Sequence, residues 1–318
     1  MKIVILDGVS LNPGDLSWAG LEKHGDVTVY EFTHPHEVME RIAGAEIVYT
    51  NKTRLTAEMI AAAESLRFIG VMATGFDVVD IEAARKRNIP VCNAPGYSTP
   101  AVAQLAMAFL LETAMQVGEY NRDVHAGAWF NTPNHRVWTK PLIELSGKTL
   151  GIYGCGNIGR QVARMARGFD MEVIAYSRRA RPGTVREGIT FVSREELFAR
   201  SQYLSLNSPL NSDSRHVVNR DTLAMMPQGA VIVNTSRGGL IDAEAVVEAL
   251  QSGKLGWYCA DALEVEPMSP EEILLSAPRC ILTPHMAWAT KESRQRLMDM
   301  CVEMLDGFLA GKPVYVVN

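Results

Sequence analysis

The sequence predicts an α/β protein made of two doubly wound parallel-sheet domains. Three observations carry that prediction. Short apolar runs alternate with helix-forming stretches in the first third of the chain, and the alternation restarts after Leu150. At the restart, the segment Lys148 to Arg160 reads as a short apolar strand, a G-x-G-x-x-G turn (Gly154, Gly156, Gly159) and the start of a helix. The length, 318 residues, also exceeds the roughly 250 to 300 at which single cores stop growing.

In the first part, strands are expected at Ile3–Leu6, Val27–Phe32, Ile47–Tyr49, Phe68–Met72 and Pro90–Cys92, each followed by helical sequence. Val102–Met115 is so uniformly apolar that it must be buried on all sides, which suits a helix crossing from one domain to the other. The stretch from Ala101 to Met115 contains Gln104 and Glu112 and falls short of the ~20 residues a bilayer requires. After the glycine turn, strands are expected at Val173–Tyr176, Tyr203–Leu206, Ala230–Asn234, Trp257–Ala260 and Cys280–Leu282. Near the end, Leu297, Cys301, Met304, Leu305 and Phe308 recur at helical spacing, with Gly311 and Pro313 as stops, so the tail is expected to return to the first domain.

Composition excludes several functions. A net charge of −5 and a pI near 5.9, without blocks of like charge, leave no electrostatic footprint for nucleic acid or an anionic membrane. Five cysteines lack CxxC spacing, so neither a disulfide framework nor a metal site is expected, and a reducing, cytoplasmic setting is. The opening Met1–Gly8 reads as a buried strand and a turn, too short and too early acidic for a signal peptide.

The glycine turn is a dinucleotide site. Gly154 permits the tight turn, Gly156 lets the backbone approach a pyrophosphate, and Gly159 lets helix and strand pack closely; Asn157 and Ile158 open the helix whose N-terminus receives the anion. About 20 residues on, an acidic residue would bind the ribose hydroxyls of NAD. That position is Ser177, followed by Arg178 and Arg179, which removes a repelling charge and supplies two attracting ones. NADP(H) is therefore the favoured cofactor and NAD(H) the alternative, in which the arginines are surface residues and Ser177 bonds the hydroxyls.

Three later strand ends deliver polar residues to the carboxyl edge of the sheet, where α/β folds bind ligands. The first, Val231 to Gly239, carries Thr235, Ser236 and Arg237; the second, Cys259 to Pro267, carries Asp261 and Glu266; the third ends in Pro284-His285. Reduction of a ketone needs a proton donor, a role histidine fills near neutral pH, and a neighbouring carboxylate fixes its tautomer. An arginine orients the substrate carboxylate and polarises the carbonyl. Arg237, Glu266 and His285 together suit reduction of a 2-oxo acid.

With Ala73-Thr-Gly-Phe-Asp-Val-Val-Asp80, Asn93 to Gln104, the glycine turn, Asn234-Thr-Ser-Arg-Gly-Gly239 and Thr283-Pro-His-Met-Ala-Trp288, the chain resembles the D-isomer-specific 2-hydroxyacid dehydrogenases over essentially its whole length. Tyr49–Thr53, Pro95–Ser98 and Pro284–Thr290 resemble the glycerate dehydrogenase or hydroxypyruvate reductase branch. That branch more often carries an acid where Ser177 stands, which pulls against the NADP(H) reading. The resemblance implies a Rossmann cofactor domain, 101–287, inserted into a flavodoxin-like substrate domain, 1–100 plus 288–318. It implies catalysis by Arg237, Glu266 and His285, with Asp261 supporting the histidine or the cofactor. It places the substrate carboxylate on the amides of Ala73, Thr74 and Gly75, and the nicotinamide end near Thr99, Val102, Pro209, Thr235, Asp261 and His285. Closure of the two domains is expected on the same grounds. Ending at Asn318, the sequence is expected to lack the extra regulatory domain of some family members.

Two other readings stand beside this one. The first is a dehydrogenase for a bulkier or phosphorylated 2-hydroxy acid, with Lys52 and Arg54 as candidate cations and Lys52 as a substrate-binding residue. The second is a non-catalytic NAD(P)(H)-sensing protein, since fold alone does not decide function. The family also implies a homodimer. Gln116 to Trp138, with Tyr120, Trp129, Phe130 and Trp138, is read either as the dimer contact or as a cap on its own core; Trp138 also suits a reach toward a neighbouring active site.

Overall fold

Five parallel strands make one sheet and eight strands make another in the computed structural model, which describes residues 1–130, 138 and 140–318. The chain divides into two units, Met1–Ser98 with Trp288–Asn318, and Thr99–Ala287.

In the first unit the strands are β1 (Lys2–Ile5), β2 (Asp26–Val29), β3 (Ile47–Thr50), β4 (Phe68–Val71) and β5 (Val91–Cys92), in the order β2-β1-β3-β4-β5. This is the flavodoxin-like winding. Strands β3 and β4 are buried at every position, as a parallel sheet covered on both faces requires. Strand β2 stops at Val29, short of the expected Phe32, because it is an edge strand whose far side has no partner; Phe32 is exposed. The helix Lys291–Leu309 places Leu297, Met298, Cys301, Met304 and Leu305 in the same core as Tyr49 and Phe68. Each such aliphatic side chain contributes about 1.5–3 kcal/mol on burial. The Tyr49 hydroxyl also donates to the Cys301 carbonyl at 2.6 Å, and its ring fills the space that a side chain at Gly70 would need, 2.2 Å from where a Cβ would stand.

The second unit contains β6 (Thr149–Tyr153), β7 (Glu172–Tyr176), β8 (Val185–Arg186), β9 (Ile189–Phe191), β10 (Tyr203–Leu206), β11 (Ala230–Asn234), β12 (Leu255–Ala260) and β13 (Cys280–Leu282). Their order is β13-β12-β11-β10-β6-β7-β9-β8. Chain direction through the sheet reverses between β6 and β10, so a switch point lies over the carboxyl end of β6, where ligands bind in open α/β sheets. Strands β8 and β9 were not expected from sequence: they are two and three residues long and flank a turn at Gly188, too short for a periodic signal. The helix Thr99–Met115 lies wholly within this unit, contrary to the expected crossing. Nor is it buried on all sides as expected: Ala103, Ala106, Met107 and Leu110 pack in the core shared with the helix Asn157–Arg167 and β11, while Gln104, Ala108, Leu111 and Met115 form an exposed stripe. Among the described residues, no single helix is long and apolar enough to cross a membrane.

Candidate active site

A cavity of about 910 Å³ opens at the switch point of the second unit. It falls within the size range of cofactor sites, roughly 300–1,000 Å³. Gly154, Gly156, Asn157, Ser177, Arg178, Arg179 and Pro209 line it. The three glycines differ in what they accomplish. Gly154 has φ +92°, and a Cβ there would come within 2.8 Å of the Asn207 backbone; at Gly159 a Cβ would come within 2.4 Å of the Gly154 carbonyl. At Gly156 a Cβ would meet nothing within 4 Å, so open space faces the first turn of the helix Asn157–Arg167, whose amides have no intrahelical acceptor. A dinucleotide pyrophosphate fits that space. Ile158 and Gly159 lie behind the lining, in the packing of helix on strand.

Beyond the two arginines expected from sequence, Arg160, Arg186 and Arg194 also line the cavity, against two acids, Glu187 and Asp213. Sequence reasoning missed these three. Arg194 follows the Ser193 cap of the helix Arg194–Arg200, and Arg186 stands on the unexpected strand β8; topology alone brings both to this cavity. Arg178 is paired with Asp213, both more than 60 % exposed, an arrangement of little net strength that an incoming anion can displace. Among the described residues, the buried side-chain oxygens without a partner include Asn207 Oδ1 in the cavity wall and Thr235 Oγ1 after β11. Orphaned buried oxygens of this kind suit a polar ligand. Thr99 begins the helix Thr99–Met115, and Val102 is buried within it; neither belongs to the cavity lining.

The carboxyl ends of β11, β12 and β13 carry the polar set. Asn234 is fully buried and organises the first of these turns: its Nδ2 donates to the Arg237 carbonyl at 2.9 Å and its Oδ1 accepts from the Ser236 amide at 3.1 Å. Ser236 Oγ donates to the Leu206 carbonyl at 2.9 Å. Gly238 allows the second turn to pack against the first, for a Cβ there would overlap the backbone at Leu263 and Glu264. The Arg237 side chain is exposed; its guanidinium donates to the Ser236 carbonyl at 2.8 Å and has no acidic partner among the described residues.

Glu266 and His285 are brought together. Glu266 Oε2 stands 2.6 Å from His285 Nδ1, while its Oε1 accepts the Leu263 amide at 3.0 Å. His285 has φ +53°, a left-handed conformation uncommon for a residue other than glycine. Asp261 explains how that conformation is held. Its carboxylate, 2 % exposed, accepts Thr283 Oγ1 at 2.6 Å and the amides of Met286 and Ala287 at 2.8 Å each. The loop carrying His285 is thus clamped on either side of the histidine. Asp261 directs its charge into this loop, and it is not part of the cavity lining.

In the first unit, the turn Ala73–Gly75 follows β4. Its carbonyls are tied back: Ala94 N–H donates to the Ala73 carbonyl at 2.9 Å and Asn93 Nδ2 to the Thr74 carbonyl at 2.6 Å. No chain acceptor among the described residues takes the amides of Ala73, Thr74 or Gly75, which leaves three successive donors, the pattern of an anion nest. Lys52 is exposed in the neighbouring loop after β3. Burial pushes the thiols of Cys92, Cys280 and Cys301 up to about 12, which removes them as nucleophiles. No group of three or more metal-ligating side chains occurs among the described residues.

Residues 107–287 match the model of the D-isomer specific 2-hydroxyacid dehydrogenase family, NAD binding domain. The whole chain is 45 % identical to a hydroxypyruvate reductase of Blautia hydrogenotrophica, covering 100 % of both, and 33 % identical to a glycerate dehydrogenase of Methylorubrum extorquens, covering 100 % of this chain and 99 % of that one. Among solved structures, the TT0316 protein of Thermus thermophilus superposes with a TM-score of 0.88 at 33 % identity, covering 100 % of each chain.

Proposed function

Because the chain belongs to the D-isomer specific 2-hydroxyacid dehydrogenase family, we propose that it reduces a small 2-oxo acid, hydroxypyruvate or glyoxylate, to the D-2-hydroxy acid with hydride from NADPH. The bound nicotinamide supplies the hydride; the chain binds the reactants, orients them and supplies a proton. Gly154, Gly156, Asn157 and the helix that follows hold the pyrophosphate. Ser177, Arg178 and Arg179 receive the 2′-phosphate, and the excess of arginine over acid in the cavity supports NADPH over NADH.

The observation that carries the reading is the 2.6 Å contact between Glu266 and His285 Nδ1. With Nδ1–H turned to the carboxylate, the ring is held in one orientation and Nε2 is the atom that releases a proton to the developing alkoxide. Arg237 binds the substrate carboxylate and polarises its carbonyl, and the amides of Ala73, Thr74 and Gly75 take the remaining carboxylate charge. Thr235, Ser236, Pro209, Thr99 and Val102 are assigned to the nicotinamide end, and Asp261 to holding the His285 loop. Replacing His285 with alanine tests this: turnover should fall by about 10²- to 10⁴-fold with NADPH affinity preserved. Near wild-type turnover would remove His285 as the acid.

We assign the enzyme to the cytoplasm as a homodimer. Five free thiols support a reducing compartment. The helix Val117–His125 buries none of its residues, and Val117, Trp129, Phe130 and Trp138 are exposed, which supports an interface on this segment. Residues 131–137 of the segment lie outside the described residues. Sedimentation of the purified protein tests the assignment.

A further inference from the structure

We propose that Asp7 is a positioning residue that sets Lys52 to select 2-oxo acids bearing a hydroxyl on C3; the inference rests on the reductase reading above. Asp7 lies just past β1 and is only 4 % exposed. Its carboxylate collects three consecutive amides of the loop after β3: Asn51 at 2.8 Å, Lys52 at 2.5 Å and Thr53 at 2.8 Å, with Thr53 Oγ1 at 3.2 Å. Among the described residues no cation pairs with it, so its buried charge is satisfied by this loop.

The same loop is tied on its other side to the chain after β4, which begins with the proposed carboxylate nest. Asn51 Nδ2 donates to the Met72 carbonyl at 2.5 Å, Met72 N–H to the Thr50 carbonyl at 2.8 Å, and Leu55 N–H to the Val78 carbonyl at 2.8 Å. Lys52 therefore stands on a rigid loop beside the nest at Ala73–Gly75. Of the three residues that Asp7 holds, Asn51 and Thr53 are buried and Lys52 is exposed, with no ion pair to another described residue. A substrate held by its carboxylate in the nest extends only a few ångströms, and the Lys52 ammonium, carried on a backbone fixed beside that nest, would donate to an oxygen on C3. Glyoxylate has no C3. Hydroxypyruvate has one, with a hydroxyl that accepts that bond.

The test compares kcat/KM for hydroxypyruvate and for glyoxylate in the wild type, Lys52→Met, Asp7→Asn and the double variant, each as the full chain with NADPH. Lys52→Met and Asp7→Asn are each expected to lower the hydroxypyruvate-to-glyoxylate ratio about tenfold, the worth of one charge-assisted hydrogen bond. In the Lys52→Met background, Asp7→Asn is expected to change the ratio less than about twofold, because the two act through one contact. Thr53→Val, which removes only the 3.2 Å contact, keeps the proposal testable if Asp7→Asn fails to fold, and should shift the ratio in the same direction by about two- to threefold. Loss of both activities in parallel would show that Asp7 only braces the fold, and an undiminished Asp7→Asn effect without Lys52 would show that it acts elsewhere; either overturns the proposal. A wild type that reduces neither acid would instead overturn the reductase reading, and this inference with it.

Discussion

Replacing Asp261 with asparagine should disable the histidine at a distance. In the folded protein Oδ1 accepts Thr283 Oγ1 and the Met286 amide, and Oδ2 accepts the Ala287 amide. An asparagine can place its one carbonyl oxygen at the Oδ1 position and keep two of the three bonds, now without charge assistance. Its NH2 group would then face the buried Ala287 N–H, donor against donor. An unmet buried donor costs about 1–3 kcal/mol, and weakening two charged bonds to neutral ones costs about 1 kcal/mol more. The sum is about 3 kcal/mol, which falls on the loop that holds His285 at φ +53°. At about 1.4 kcal/mol per tenfold, release of the loop should lower kcat roughly a hundredfold. Steady-state reduction of hydroxypyruvate would be measured beside NADPH binding, followed by fluorescence, and a thermal melt. The reasoning requires a large drop in kcat with nearly unchanged cofactor affinity. A kcat within about twofold of wild type would refute it, because the clamp would then have no bearing on the proton donor.

Arg237→Ala should lower kcat/KM for the 2-oxo acid by about a hundredfold or more, and Arg237→Lys should recover little of it, since an ammonium cannot fork onto a carboxylate; initial rates of both variants check this. Replacing Arg178 and Arg179 together with alanine should lower kcat/KM for NADPH about ten- to hundredfold while moving that for NADH less than about threefold, read from parallel titrations of the two cofactors. Gly159→Ala crowds a carbonyl 2.4 Å away and should lower Tm by a few degrees in calorimetry, whereas Gly156→Ala, with open space before it, should leave Tm alone and weaken NADPH and NADH binding alike.

The proposed site residues were picked out where local sequence pattern marks them. The glycine turn needs its three glycines within six residues, and Arg237, Glu266 and His285 each lie in the segment that follows a run whose apolar pattern marks a strand. What escaped depends on contacts far apart in sequence. Arg194 and Asp213 reach the cofactor cavity only because β9 pairs with β7 and β10 with β6. Asp7 looks like an ordinary turn residue until β1 and β3 pair and bring its carboxylate to Asn51–Thr53, about 45 residues on. The helix Thr99–Met115 was legible as largely apolar, but an apolar composition says neither which elements cover it nor whether every face is covered: both packing partners belong to the second unit, and Leu111 and Met115 stay exposed.

The most direct measurement is steady-state reduction of hydroxypyruvate and glyoxylate by the purified protein, with NADPH and NADH in parallel. The account predicts turnover of a 2-oxo acid with kcat/KM clearly higher for NADPH. Turnover with a clear NADH preference would contradict the role given to Ser177, Arg178 and Arg179, and no turnover of either acid with either cofactor would contradict the proposed reaction itself.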